Sequence, residues 1–326
     1  MHKQTKKTLA WLLTAVMTLS ALFAVPGLAL TAGAAVDGST LVGRFFSTNN
    51  VWYDAVTNNG SGLQSAGGTE PRYDASLGMT YVRDNYLRIA NENLLAGVTQ
   101  DTGLTVAFNY RPNFTGDHRH IFSAGQNAYG DGTANQFFIA GTTSWYSDGH
   151  FPIVAWVNGN DQELIKAYPA DLGPQQGREY NIVVSVDKDA GVVFYVDGVK
   201  KTTVYKDSDL NGQLGNVRAF LDAARNYRQN YIGCSRWTAD AKVEGYVSDF
   251  RVYKSASSDV EAFNLAADMA GSSFDLATPA FNATSYHYSD PANGAFANLV
   301  YASPATTADS GMGIRGADNS DDYKDI

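Results

Sequence analysis

Two stretches of the chain combine aromatic and polar side chains at a density that suits the binding of sugars. The first is TTSWYSDGHFPIVAWVNGNDQE, residues 142–163, and the second is NYRQNYIGCSRW, residues 226–237. Sugar rings present apolar C–H faces that stack on aromatic rings, and their hydroxyl groups need polar partners beside those rings. The predicted ligand-binding residues are those of the two stretches that meet these needs: Trp145, Tyr146, His150, Tyr231, Arg236 and Trp237.

Aromatic residues also form the cores of β-proteins, so each one in these stretches has a second interpretation. Trp156 lies inside an alternating run of apolar residues, which favours a place in the core. Trp145, Tyr146 and Trp237 are flanked by Ser, Asp, Thr and Arg, which favours exposure on loops. Burial of these three residues in the core would remove the basis for a binding face.

The acidic residues do not form a catalytic pattern. Glycoside hydrolysis requires two carboxylates that flank the scissile bond. The closest pairs, Asp187 with Asp189 and Asp321 with Asp322, lie in a turn and in a polar tail, where solvated surface is the ordinary explanation. A nucleophile elbow of the form G-x-S-x-G is also missing from the sequence. The sequence therefore predicts a protein without catalytic residues, unless a catalytic domain lies beyond residue 326.

The first 34 residues read as a secretory signal peptide. Three lysines precede an uncharged, mostly apolar stretch over residues 9–30, and the small residues Ala32, Gly33 and Ala34 follow. A retained membrane anchor is the alternative, because the apolar stretch is long enough to span a bilayer. Either interpretation predicts export, to the extracellular space or to the cell surface.

Removal of this segment leaves 21 basic residues against 33 acidic ones. Nucleic acids and anionic membranes both select for clustered Lys and Arg, so neither is the expected partner. Cys234 is the only cysteine, which rules out an intramolecular disulfide and indicates a small buried hydrophobic side chain. An exported chain with so little cysteine is typical of a bacterial secreted or surface protein.

The middle of the chain shows the period-two alternation of half-buried strands. It is clearest in LTVAFNY (104–110), YNIVVSVD (180–187) and VVFYVDG (192–198). Asp197-Gly198 predicts a tight hairpin, with a returning strand over residues 200–205. Shorter strands are expected in segments with the same apolar and β-branched composition: 87–89, 120–123, 136–140, 152–157, 230–234 and 247–253.

One short helix is expected after the last strand. Ser258 and Glu261 have the spacing of a capping box, and the helix would run to about Ala267. Residues 269–326 are rich in Ala, Ser, Thr, Asp and Asn without a clear period. The predicted domains are a signal peptide, helical in its apolar part, over 1–34, an all-β sandwich over 35–268, and a linker or the start of a further module over 269–326.

Three segments resemble laminin-G-like domains, which have the concanavalin A-like jelly-roll fold. GREYNIVVSVDKDAGVVFYVDGVKKTTV is similar to the central hairpin of that family, and NYIGCSRWTADAKVEGYVSDFRVYKSASSDVEAF is similar to its closing strand and helix. Upstream, YLRIANENLLAGVTQDTGLTVAFNYRPN resembles the strands that open the sandwich. The three segments together cover residues 41–268 in the family's order. The resemblance implies a sandwich of two antiparallel sheets with about six or seven strands.

The resemblance also implies one structural calcium ion at the edge of the sandwich. Asp54 and Asp249 match the positions of the family's carboxylate ligands, and oxygen ligands suit calcium. Many relatives have paired aspartates in the last strand, whereas this chain has Ser248 before Asp249, so one carboxylate is missing. Turn chemistry is the alternative explanation for both aspartates.

The function expected from residues and resemblance together is a non-catalytic carbohydrate-binding or adhesion module, secreted or on the cell surface. Its partner would be an extracellular polysaccharide or glycan, and a surface protein is a further candidate. A structural or protein-binding surface domain is the first alternative. The non-catalytic part of a larger extracellular glycoside hydrolase is the second.

Overall fold

A computed structural model of the chain describes residues 38–48, 51–57, 63–66, 71–113, 119–128, 130, 135–142, 150–158, 162–206, 208–238, 240, 242–273, 313–315 and 323–325. The predicted signal peptide lies outside these residues. None of the described helices is both long and apolar enough to pass through a lipid bilayer.

The described residues form nineteen strands, two α-helices and a 3-10 turn at Gly38–Thr40. In chain order the strands are β1 Leu41–Thr48, β2 Val51–Asp54, β3 Leu63–Ala66, β4 Arg72–Asp74, β5 Met79–Arg83, β6 Tyr86–Ile89, β7 Leu104–Pro112, β8 Arg119–Gly125, β9 Gln136–Thr142, β10 Ile153–Asn158, β11 Gln162–Pro169, β12 Tyr180–Asp187, β13 Gly191–Val196, β14 Val199–Lys201, β15 Thr203–Tyr205, β16 Gln229–Ile232, β17 Glu244–Tyr253, β18 Gly313–Arg315 and β19 Tyr323–Asp325. The helices are α1 Leu210–Ala224 and α2 Asp259–Ser273.

Two antiparallel sheets make up the sandwich. The nine-stranded sheet has the order β14-β13-β12-β7-β17-β1-β2, with β5 also paired to β17 and β4 paired to β5. The eight-stranded sheet has the order β15-β11-β10-β9-β8-β16-β6-β3. A separate two-stranded ladder joins β18 and β19. The predicted jelly-roll sandwich is therefore confirmed, and its sheets are larger than the six or seven strands expected.

The core lies between the two sheets and follows the alternation seen in the sequence. In β7, β12 and β13 the predicted apolar sets all point into it: Leu104, Val106, Phe108, Tyr110, Ile182, Val184, Val186, Val192, Phe194 and Val196. Phe250 of β17 stacks on Phe108 at 5.3 Å between ring centroids and contacts Phe122 of the opposite sheet at the same separation. Trp156 is 2% exposed in this core, as predicted.

The hairpin at Asp197-Gly198 is also confirmed. Both residues have positive φ, 53° and 77°, which is the backbone of a primed turn and matches the twist of the flanking strands. The returning strand, however, is not continuous. β14 pairs with β13 in the nine-stranded sheet, whereas β15 pairs with β11 in the eight-stranded sheet. The chain therefore changes sheets at Thr202, between two halves of a segment that the sequence presents as one strand.

Helix α1 is absent from the sequence prediction. It lies against β11, β12 and β13, and therefore bridges the two sheets along one side of the sandwich. Phe220 enters the core and stacks on Phe137 at 4.5 Å. Asp209 caps the helix by accepting a hydrogen bond from the Gly212 amide at 2.8 Å. The spacing of Gln213, Val217, Phe220, Leu221 and Ala224 has helical period, but two glycines and two asparagines in the segment weaken that signal.

Helix α2 packs on the outer face of the nine-stranded sheet. The predicted capping box is present, since the Glu261 carboxylate accepts from the Ser258 amide at 2.8 Å and the Ser258 hydroxyl accepts from the Glu261 amide at 3.3 Å. The helix continues to Ser273, beyond the predicted end at Ala267. Its apolar face covers a cluster formed with the sheet: Ala107, Val183, Tyr195, Tyr253, Ala262, Leu265, Ala266 and Met269.

Candidate functional site

The outer face of the eight-stranded sheet carries the predicted ligand residues that the structure describes. Because Phe122 and Ala124 of β8 point into the core, Ser123 points to the opposite side. Tyr231 of β16 pairs directly with Ser123 and therefore shares this outer face. Trp145 and Tyr146 lie outside the described residues.

An apolar floor occupies the centre of this outer face. It consists of side chains from β9 and β10 that are buried although they point away from the main core: Phe138, Ala140, Ile153, Ala155 and Val157. Two partly exposed aromatic side chains, Tyr168 and Trp237, pack against the floor. An aromatic pair above an apolar floor, on the outside of a sheet, is an arrangement that can accept the face of a sugar ring.

Trp237 is positioned by its loop and by the floor. Its ring meets Phe138 edge-on, with 5.9 Å between centroids and 78° between planes. The Ser235 hydroxyl donates to Asp240 at 2.6 Å and accepts from the Trp237 amide at 3.1 Å. Asp240 also lies 3.0 Å from Nε2 of the buried His120 on β8. These contacts hold the loop against the sheet, so the Trp237 ring is partly exposed in a defined orientation.

His150 belongs to the same face. Its imidazole stacks on Tyr168 with 5.0 Å between centroids and 17° between planes, and it is partly exposed. Since Tyr168 and Trp237 pack on one floor, the structure brings His150 and Trp237 to a common surface although 87 positions separate them in sequence. This part of the predicted site comes from β11, from the segment before β10 that carries His150, and from the loop after β16 that carries Trp237.

Tyr231 and Arg236 are buried on this face rather than exposed. The Tyr231 ring packs edge-on against Tyr86 at 5.6 Å, and its hydroxyl donates to Gln229 at 3.2 Å. The Arg236 guanidinium lies 5.5 Å above the Tyr231 ring, a cation–π distance. In these positions Tyr231 and Arg236 lie beneath the surface and do not contact a ligand directly.

Two polar groups that the sequence analysis did not single out lie beside the floor. The Ser123 hydroxyl and the Gln136 amide nitrogen are buried, and neither has a hydrogen-bond partner among the described residues. A buried polar atom without a partner costs about 1–3 kcal/mol, and the described residues hold such atoms away from this face as well, among them Asn181 Oδ1 and Ser248 Oγ. Ser123 pairs directly with Phe138 across β8 and β9, so this group adjoins the Trp237 contact. Ser123 and Gln136 could have been identified from the sequence, because each is a polar residue at an outward position of an otherwise apolar strand.

Gly125 allows Arg236 to lie across the sheet. A Cβ atom at this position would stand 2.7 Å from the Asn135 carbonyl oxygen and 2.8 Å from Arg236 Nε. We expect Gly125→Ala to lower the free energy of unfolding by about 1–3 kcal/mol, because a backbone oxygen cannot move away cheaply. Urea unfolding followed by circular dichroism measures this change.

The control for Gly125→Ala is Gly215→Ala in α1, where an added Cβ meets nothing within 4 Å. In a helix this substitution stabilises by about 0.5–1 kcal/mol. Equal effects of the two substitutions would contradict the placement of Arg236 over Gly125.

The predicted calcium ligands have other partners. Asp249 accepts from Arg44 Nε at 2.7 Å and Nη2 at 2.9 Å, and from Nε of Arg251 at 2.9 Å. Asp54 accepts from the Val56 amide at 3.0 Å and the Thr57 hydroxyl at 2.8 Å. The described residues hold no group of three or more His, Cys, Asp or Glu side chains that could bind a metal. The residues at these positions do not fit a calcium ion, and calcium binding stays a prediction from the resemblance.

The ion pairs shift the pKa of Asp249. Burial alone would raise it, but hydrogen bonds from Arg251 and Arg44 outweigh burial and lower the pKa to about 2. Asp249 has positive φ, 43°, at a bulge between Ser248 and Arg251, which turns its carboxylate toward both guanidinium groups. This cluster, Arg44–Asp249–Arg251, joins the two neighbouring strands β1 and β17.

The comparisons with known proteins agree with this fold. The family model described as "Concanavalin A-like lectin/glucanases superfamily" (Laminin_G_3) matches residues 82–262. The chain therefore belongs to the concanavalin A-like lectin/glucanase superfamily, in its laminin-G-like branch. No curated protein matches the sequence.

Two of the solved structures that are similar to the chain have low sequence identity to it. Domain 4 of AbnA, a GH43 extracellular arabinanase from Geobacillus stearothermophilus, solved in complex with arabinotriose, matches with a TM-score of 0.50 and 15% identity, over 70% of this chain and 98% of that domain. The binding domain of botulinum neurotoxin serotype C1 matches with a TM-score of 0.48 and 10% identity, over 71% of this chain. The match covers 52% of that binding domain, so the chain corresponds to about half of its length.

Proposed function

We propose that the sandwich is a non-catalytic carbohydrate-binding module that acts outside the cell. The observation that carries the proposal is the outer face of the eight-stranded sheet, where Trp237 and the His150–Tyr168 stack adjoin one apolar floor. Partly exposed aromatic rings on a rigid support match the apolar faces of sugar rings. The predicted signal peptide supports a place outside the cell, in secreted or surface-attached form.

The ligand contacts at this face come from the aromatic rings, because Ser123 Oγ and Gln136 Nε2 are as deeply buried as Tyr231 and Arg236. The similarity to the arabinanase domain, which was solved with arabinotriose, makes arabino-oligosaccharides the first ligands to test.

The test is a glycan-array screen of the full chain, followed by calorimetry with arabinotriose and with the strongest array ligand. We expect saturable binding, and we expect Trp237→Ala to weaken it at least tenfold, which is equivalent to about 1.4 kcal/mol. The reason is that a few aromatic side chains usually contribute most of the binding free energy. His150→Ala should weaken binding less, because the Tyr168 ring beneath it remains in place.

The matched control is Val199→Ala, which removes an exposed apolar side chain from β14 of the other sheet. This variant should bind as the unmodified chain does. Correctly folded protein that binds no glycan would refute the proposal and would favour the structural or protein-binding alternative. Repeating the titration with a chelator tests the calcium prediction at the same time.

A further inference from the structure

A row of four side chains crosses the outer face of the nine-stranded sheet on the side of β4 and β5. Arg72 of β4 pairs directly with Tyr81 of β5, Tyr81 with Tyr246 of β17, and Tyr246 with Arg111 of β7. Directly paired residues point to the same face of a sheet. We call these four residues the Arg–Tyr–Tyr–Arg row. Adjacent strands lie about 4.8 Å apart, so its two arginines are separated by three strand spacings, about 14 Å at the backbone.

The two tyrosines form the centre of the row and are partly exposed. Their ring centroids lie 5.0 Å apart at 47°, and the Arg111 guanidinium lies 5.8 Å from the Tyr246 centroid. The Tyr81 hydroxyl donates to the Glu244 carboxylate at 3.3 Å and accepts from the side-chain amide of Asn113 at 3.3 Å. These bonds fix the ring of Tyr81, so the row presents a preformed aromatic surface.

Arg72 and Arg111, at the two ends of the row, carry positive charges that an anionic ligand could bind. Among the described residues, neither Arg72 nor Arg111 has an ion pair or a hydrogen-bonded carboxylate. Glu244 is engaged by Tyr81 and lies 4.0 Å from Arg83. Two further acids lie near Arg111. Burial raises the pKa of Glu179 to about 7, so this carboxyl carries only part of a charge at neutral pH. A hydrogen bond from Ser76 lowers the pKa of the exposed Asp74, so this carboxylate stays charged.

We propose that the Arg–Tyr–Tyr–Arg row is a second glycan-binding surface, specific for a polysaccharide that carries carboxylate groups, such as a uronate polymer. The tyrosine rings would stack on sugar rings, and the two guanidinium groups would bind carboxylates along the polymer through paired N–H donors. The positive charge of the row is a local feature, because the chain as a whole has a formal net charge of −9.

This surface and the one at Trp237 lie on opposite sheets, so the two inferences are independent. A module with two such faces would cross-link two polysaccharide chains or bind one polymer more firmly to a matrix.

The experiment measures binding of the full chain to polygalacturonate by affinity electrophoresis and calorimetry at two salt concentrations. We expect Arg111→Gln and Arg72→Gln each to weaken binding at least tenfold, and added salt to weaken binding of the unmodified chain. Arg72 is exposed at the end of the row, so Arg72→Gln preserves the test if Arg111→Gln destabilises the fold. Arg111→Lys should restore part of the affinity, since it returns the charge but not the paired donors.

Two variants serve as controls. Arg225→Gln removes an exposed charge next to α1, away from the row, and should leave binding unchanged. Trp237→Ala should also leave binding to polygalacturonate unchanged. Absence of binding, equal loss in Arg225→Gln, loss in Trp237→Ala alone, or equally tight binding to polyglutamate or to a sulfated polymer would each overturn the proposal.

Discussion

Asp249→Asn is expected to lower the free energy of unfolding by about 3–5 kcal/mol. The side chains of Asp249 and Arg251 are 7% and 5% exposed, so loss of the carboxylate leaves a buried guanidinium without its main counter-charge. The amide keeps the size of the side chain, which excludes a packing defect as the cause. Arg251 also donates to Asp268 of α2 at 2.5 Å, so the same guanidinium links the cluster to this helix.

Arg44→Gln provides the comparison for Asp249→Asn. The Arg44 side chain is 35% exposed, and its removal leaves the Arg251–Asp249 pair intact. Its cost should therefore be about 1 kcal/mol, nearer to that of a surface pair. Urea unfolding of both variants at pH 7 gives the two numbers. A cost for Asp249→Asn below that for Arg44→Gln would mean that the buried pair is not the centre of the cluster.

The same cluster predicts acid sensitivity. The pKa of Asp249 is about 2 in the folded chain and about 3.9 in an unfolded one, a difference worth roughly 2–3 kcal/mol. Because the folded-state pKa is the lower one, this stability is fully present above about pH 4 and is lost as the pH falls toward 2. Asp249→Asn should flatten the dependence of unfolding free energy on pH in this window.

Trp156→Ala is expected to have an effect of similar size, a loss of about 3–5 kcal/mol. The indole fills the space between the sheets next to Phe220 of α1, at 6.1 Å between centroids. Its Nε1 donates to the Tyr227 hydroxyl at 2.8 Å. The substitution therefore leaves a large cavity and an unsatisfied buried hydroxyl together.

Two conservative variants separate these contributions. Tyr227→Phe removes only the acceptor and should cost about 1–3 kcal/mol, since the indole N–H stays buried without a partner. Trp156→Phe keeps an aromatic ring and should cost less than Trp156→Ala. Thermal and urea unfolding measure the three variants. A cost below about 1 kcal/mol for Trp156→Ala would contradict a core position for this residue.

The stability effects and the binding effects should separate cleanly. Trp156 lies between the sheets and Trp237 lies on the outside of one of them, so the two tryptophans have different functions in the same fold. Trp237→Ala should change ligand affinity with little change in unfolding free energy. A Trp237→Ala variant that unfolds easily would indicate that its ring closes the apolar floor rather than binding a ligand.

Local features of the sequence determined much of the sandwich. The alternation in β7, β12 and β13 fixed which side chains enter the core, because a strand turns successive residues to opposite faces. The positive-φ hairpin at Asp197-Gly198 and the capping box at Ser258 depend only on residues a few positions apart. Such features could be predicted because both their cause and their effect lie within one short segment.

Other features depend on which segments meet, and only the tertiary structure decided them. Asp249 and Arg44 are separated by 205 positions, and the bulge that turns Asp249 toward Arg44 and Arg251 is not visible in the sequence. The alternation also could not reveal that Tyr231 and Arg236 are buried on an outer face, nor that the chain changes sheets at Thr202. In each case the sequence determines the face of the sheet on which a side chain lies, whereas the order of the strands determines which side chains are its neighbours. The ion-pair cluster and the candidate binding surfaces both depend on those neighbours.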